Sequence, residues 1–129
     1  MNHPNPMVKN IVKKVVHDLN CATNAWVIVG GDTALGTALP SYPNDNVSLI
    51  SFVDYFPGEP TKLAQMAPRA GACGDIAGDK HSFYVETDIH IKRIPQNGPW
   101  FFDTVSTTLP AGSYDFYEVV LHELVHAVL

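Results

Sequence analysis

The sequence predicts an α/β (α+β) fold in a single domain. Three observations carry this. Near the N-terminus apolar residues recur at three- and four-residue steps, the spacing of a helix that buries one side, and near the C-terminus a run apolar nearly all round reads as a buried helix. Between them lie runs of β-branched and aromatic residues, some alternating, which is the spacing of strands. Glycine- and proline-rich stretches separate these runs. The 129 residues are enough for one core, so residues 1–129 read as one domain.

Asn5-Pro6 starts the first helix, over about 6–20. Met7, Ile11, Val12, Val15, Val16 and Leu19 form its apolar stripe, with Lys9, Lys13, Lys14 and a surface His17 off it. "AWVIVGG" (25–31) reads as a strand ended by two glycines, and 30–45 as a loop. "VSLISFVDY" (47–55) is a second strand and "PGEP" (57–60) a turn. "TKLAQMAP" (61–68) reads as a short helix or an irregular segment, and "RAGACGDIAGDK" (69–80) as a Gly/Asp loop. Asp75 and Asp79 there are candidate calcium ligands, because that ion takes oxygen donors on flexible loops. They do not match the EF-hand spacing, and a solvated turn accounts for them more simply.

"SFYVETDIHIKRI" (82–94) is a third strand. One parity is mainly apolar. The other holds Glu86, Asp88, His90 and Lys92, which predicts one solvated side. A long aromatic connection (95–113) leads to the last helix. Asp115 is placed to accept its first free amides, and Glu118 completes a variant of the capping box. Apolar residues surround the remainder, predicting a buried helix that continues to Leu129 without a stop signal.

Net charge is −5 with no basic run, which argues against nucleic acid as a partner. No apolar stretch reaches the roughly 18 residues of a membrane span. The N-terminus lacks the pattern of a secretory signal, so the chain reads as cytosolic or as a mature piece of a secreted protein. Cys21 and Cys73 are the two cysteines. A disulfide between them would constrain the unfolded chain by on the order of 4 kcal/mol; two separate thiols fit as well.

His122, Glu123 and His126 form an H-E-x-x-H pattern in the last helix. Ordinary residue usage produces this by chance in well under about 1% of chains of this length. Histidines four apart share one helical face, so their rings can converge on one ion. Neutral imidazole is a natural zinc ligand. Glu123 is then placed as general base toward the water that attacks a carbonyl. The pattern therefore predicts a catalytic zinc held by His122 and His126, and a peptide or protein substrate. A catalytic zinc usually has a third protein ligand, which this motif does not contain.

The C-terminal stretch resembles the active-site region of secreted, matrixin-like zinc peptidases of the metzincin group, especially bacterial ones. The matching residues are Asp88-Ile89, Trp100-Phe101-Phe102, Pro110-Ala111-Gly112, Asp115-Phe116 and Leu121-His122-Glu123. "TKLAQMAP" is similar to an upstream Leu-Ala-x-Ala-x-Pro segment of such proteins. The resemblance implies a twisted mixed β-sheet packed with two helices, the C-terminal one carrying the motif, as in a zincin N-terminal subdomain. It implies zinc ligation by His122 and His126, general-base catalysis by Glu123, and an extracellular location. It also implies pairing of an extended substrate with an edge strand, for which 82–94 is the candidate.

The metzincin signature places a glycine where this chain has Leu129. The third ligand is therefore expected past the end of the motif helix, with residues 1–129 an incomplete catalytic domain and a poor peptidase alone. A gluzincin-like hydrolase with a helix-borne glutamate ligand is the alternative. So is a deformylase-like one using Cys73, or an inactive truncated domain. "PRAGACGD" also echoes the cysteine-switch segment of matrixin propeptides. His81, Asp88 and His90 are a further candidate metal group, read more simply as surface residues.

Overall fold

A computed structural model describes residues 5–23, 48–72, 82–106 and 108–128. Over these the chain is a mixed α+β structure of two helices and two small sheets. In chain order the elements are α1 (Met7–Thr23), β1 (Ile50–Val53), β2 (Ala64–Ala72), β3 (Ser82–Lys92), β4 (Trp100–Phe101), β5 (Tyr114–Asp115) and α2 (Phe116–Val128). The expected strand 25–31 and loop 30–45 lie outside the described residues, as do Cys73, Asp75, Asp79 and His81.

Helix α1 begins as its sequence requires. The Asn5 side chain accepts the Met7 amide at 2.9 Å, satisfying a first-turn donor. Val8, Ile11, Val12, Val15, Val16 and Leu19 are all buried, so the apolar stripe is the packed face. Met7, assigned to that stripe from its spacing, stands half exposed at its start. Cys21, in the last turn, is exposed.

The larger sheet has the order β1-β3-β2. β1 runs parallel to β3, and β2 antiparallel to it. The strand 82–94 was expected at an edge. It is instead central among the described strands, hydrogen-bonded on both sides, and has no free backbone edge over the paired stretch to offer a substrate. Among the described strands β1 and β2 are the edges, and β2 is formed by residues expected to be a short helix and a loop. Pro68 pairs opposite Thr87 and the register slips between Arg69 and Ala70, two features that an edge strand tolerates.

Register explains the core. Ile50 and Met66 both lie opposite Ile89, and Phe52 and Ala64 opposite Ile91, so these side chains share one sheet face. Both helices pack on that face, and Val120, Leu124 and Phe116 of α2 join the stripe of α1 in one cluster. Phe116 is fully buried between Phe52 and Trp100, with ring centroids at 6.0 and 5.3 Å.

The opposite face of β3 differs from expectation. Glu86, Asp88, His90 and Lys92 are buried rather than solvated. Each meets a partner. Asp88 accepts the Leu49 amide at 3.0 Å, His90 Nδ1 lies 2.8 Å from Ser51 Oγ, the Lys92 ammonium donates to the Pro60 carbonyl, and Glu86 faces Arg69. A central strand is flanked at close range on both sides, so its polar side chains find partners on neighbouring segments before they find water.

Candidate metal site on helix α2

The site is built on α2, and α2 is held at its start. Asp115 Oδ1 accepts the amides of Tyr117 at 2.9 Å and Glu118 at 3.3 Å, the N-cap expected from the sequence. The preceding turn is fixed by β4 and β5, which pair Trp100 with Tyr114 and Phe101 with Asp115. Gly112 in that turn has φ +76°, where glycine is unstrained. Gly98 lies so close to the Gly112 carbonyl that a Cβ there would overlap its oxygen. Trp100 donates its indole N–H to the Lys92 carbonyl at 2.8 Å, tying the connection back to β3.

A second tether joins the helices. The Tyr117 hydroxyl donates to Asp18 Oδ2 at 2.6 Å. Burial, then the bond to Asp18, pushes the Tyr117 phenol up to about 12. Lys14 hydrogen-bonds the same carboxylate and, with Tyr117, holds the Asp18 carboxyl below its ordinary value.

Helix α2 was expected to be buried nearly all round. It buries Phe116, Val120 and Leu124 but exposes Glu118, His122 and His126, a stripe at four-residue steps. This removes the desolvation cost that two enclosed imidazoles would carry. His122 Nε2 and His126 Nε2 lie 3.0 Å apart, with the rings edge to face. Two nitrogens bound to one tetrahedral zinc at about 2.0–2.1 Å stand roughly 3.3 Å apart. The two nitrogens are therefore within a few tenths of an ångström of the spacing that one bound ion would give them. In this contact one ring nitrogen donates and the other accepts, and the donor ring frees its Nε2 for an ion when its hydrogen sits on Nδ1 instead.

Glu123 is 8% exposed although its two histidine neighbours in the motif are exposed. With His122 it lines an open groove of about 430 Å³, whose other walls are Leu63, Ala64, Glu118 and Val119. One wall is thus the start of the edge strand β2 and the other is α2. His122 and His126 lie side by side, and His122 shares the groove with Glu123, while His126 does not line it. Among the described residues no group of three His, Cys, Asp or Glu side chains is arranged to hold an ion. Asp88 and His90, expected at the surface, are buried and engaged with Leu49 and Ser51. Burial also pushes the His90 imidazole below its ordinary value.

The sequence reading missed four groove residues. Glu118 and Val119 were legible, since they precede His122 by four and three residues on a helix. Leu63 and Ala64 had no such signal, because their position depends on β2 being a strand.

Comparison with protein families, with curated proteins and with solved structures finds no match. Among the described residues no helix is long and apolar enough to cross a membrane.

Proposed function

We propose that this chain is part of the catalytic domain of a secreted zinc-dependent endopeptidase with a zincin fold, matrixin-like in its motif region. The observation that carries the reading is the convergence of His122 and His126 Nε2 at 3.0 Å beside a groove that Glu123 also lines. His122 and His126 would hold the metal. Zinc, when bound, supplies Lewis acidity toward a carbonyl and lowers the pKa of water. Glu123 accepts a proton from the attacking water and returns it to the leaving amine, a step suited to a carboxylate at the groove wall. An extended substrate lies along β2, whose outer edge pairs with no described strand, and adds to the sheet.

The third ligand comes from outside the described residues. Cys73 and His81 lie in one such stretch, and any chain following Leu129 is a further source. A gluzincin-like or deformylase-like hydrolase is the second reading. It is favoured by Leu129 at the signature's glycine position, and it uses the same three motif residues with another third ligand.

The test is Glu123→Gln in a form of the protein that cleaves an unfolded protein substrate. Cleavage should be chelator-sensitive in the wild type and fall by at least about 100-fold in the variant, the scale of a lost general base, with zinc content unchanged. Wild-type rates in Glu123→Gln would remove Glu123 from the chemistry.

A further inference from the structure

We infer that Glu118 selects substrates carrying a lysine or arginine side chain beside the cleaved peptide bond. This rests on the peptidase reading above and deepens it.

Glu118 stands one helical turn before His122 on the exposed stripe of α2 and lines the same groove as His122 and Glu123. Glu118 is exposed, and its side chain is not taken up by another described residue. Among the described residues the ion pairs join Lys14 to Asp18, Lys62 to Glu59, Arg69 to Glu86 and Arg93 to Asp54, and none involves Glu118. Lys62, the basic residue next to the groove wall at Leu63, is engaged. Its ammonium meets Glu59 and Gln65 and stands 5.7 Å over the Phe56 ring. Asp115 is likewise taken up by the helix amides.

The other groove residues set the shape of the preferred side chain. Leu63, Ala64 and Val119 are apolar and would cover an aliphatic stem, while Glu118 meets a cationic head. Lysine and arginine combine these two parts. An acidic side chain in the same place would face a like charge. Glu118 also suits the positive end of α2, but that role does not depend on the charge of a peptide.

The experiment is a nuclear magnetic resonance titration of the zinc-loaded 129-residue chain with short, capped, alanine-rich peptides. One Lys, Gln or Glu is placed at each peptide position in turn. Zinc uptake is measured in parallel on the wild type and on His122→Ala/His126→Ala. At one position the Lys peptide should bind about threefold to tenfold more tightly than its Glu counterpart, with Gln between, the size expected of a solvent-accessible charge pair. Shifts should centre on Leu63, Ala64 and Val119. Glu118→Gln should remove the order, Glu118→Lys should invert it, and added salt should shrink it. The amide spectra report whether each variant is folded. Equal or undetectable binding of Lys and Glu peptides at every position, or an order that survives Glu118→Lys, overturns the inference while zinc uptake through the histidines leaves the peptidase reading standing. Failure of the histidines to support zinc uptake overturns both.

Discussion

Zinc affinity is the most direct test of the helix α2 site. Structural sites with four ligands bind zinc with about 10–16 kcal/mol near neutral pH, or roughly 2.5–4 kcal/mol per ligand. The described residues supply two, His122 and His126, already near bidentate spacing. Little reorganisation is needed, so the two contributions should be nearly fully realised. Their sum, about 5–8 kcal/mol, corresponds to a dissociation constant of roughly 1–200 μM. Removing either histidine should weaken binding by about 100-fold to 1,000-fold on the same scale. The assay is competition against a zinc indicator, repeated at several pH values, because zinc and protons compete for imidazole nitrogens. Unchanged affinity in His122→Ala/His126→Ala would refute the site. Nanomolar affinity in the wild type would refute the two-ligand arithmetic, and Cys73 and His81 would be substituted next.

Two further predictions concern the frame around the site. Gly98→Ala should destabilise the fold by about 2–3 kcal/mol in urea denaturation, since the new Cβ meets the backbone oxygen of Gly112 and no side-chain rotation relieves it; a loss under about 0.5 kcal/mol would contradict the close approach. His90 is held below its ordinary value of 6.5, so in the folded state it resists protonation. As pH falls below about 6.5 the unfolded chain binds the extra proton first, so stability declines, by at most about 1.4 kcal/mol per pH unit from this group. The contribution is complete above that value, and His90→Gln should flatten this part of the profile.

The elements legible in the sequence were those with a strong local period. The α1 stripe, the Asp115 cap and the His122–His126 pair depend on three- and four-residue spacing alone, and each appears where that spacing puts it. β2 was illegible for the opposite reason. "AQMAPRAGA" has no β-branched or aromatic residue, and it contains a proline and a glycine. Its strand form comes from pairing with β3, whose partner residues lie between twenty-seven and ten positions farther along the chain. The polar side of β3 misled in the same way. Alternation in Glu86, Asp88, His90 and Lys92 reports a face, but whether water or protein covers that face is decided by Ser51, Leu49 and Pro60, which are distant in sequence.

The placement of these tertiary contacts also explains why the site's exposed stripe can be precise. Two histidines hold an ion at a fixed geometry only if the helix beneath them is immobile, because ligand positions must stay within about 0.5 Å. The site's own residues contribute little to that, being exposed on one side. Rigidity comes instead from the turn before them. Phe116 is locked among Phe52, Trp100 and Phe102, Tyr117 is tied to Asp18 of α1, and Asp115 fixes the first amides. The residues just before Glu118 therefore set where the stripe points. Across the groove, β3 holds Leu63 and Ala64 through the bond from the Lys92 amide to the Leu63 carbonyl. Lys92 also receives the Trp100 indole on its own carbonyl. One residue of the central strand thus links both walls, so the backbone of β3 at Lys92 helps, with the apolar core, to set the width of the groove between β2 and α2.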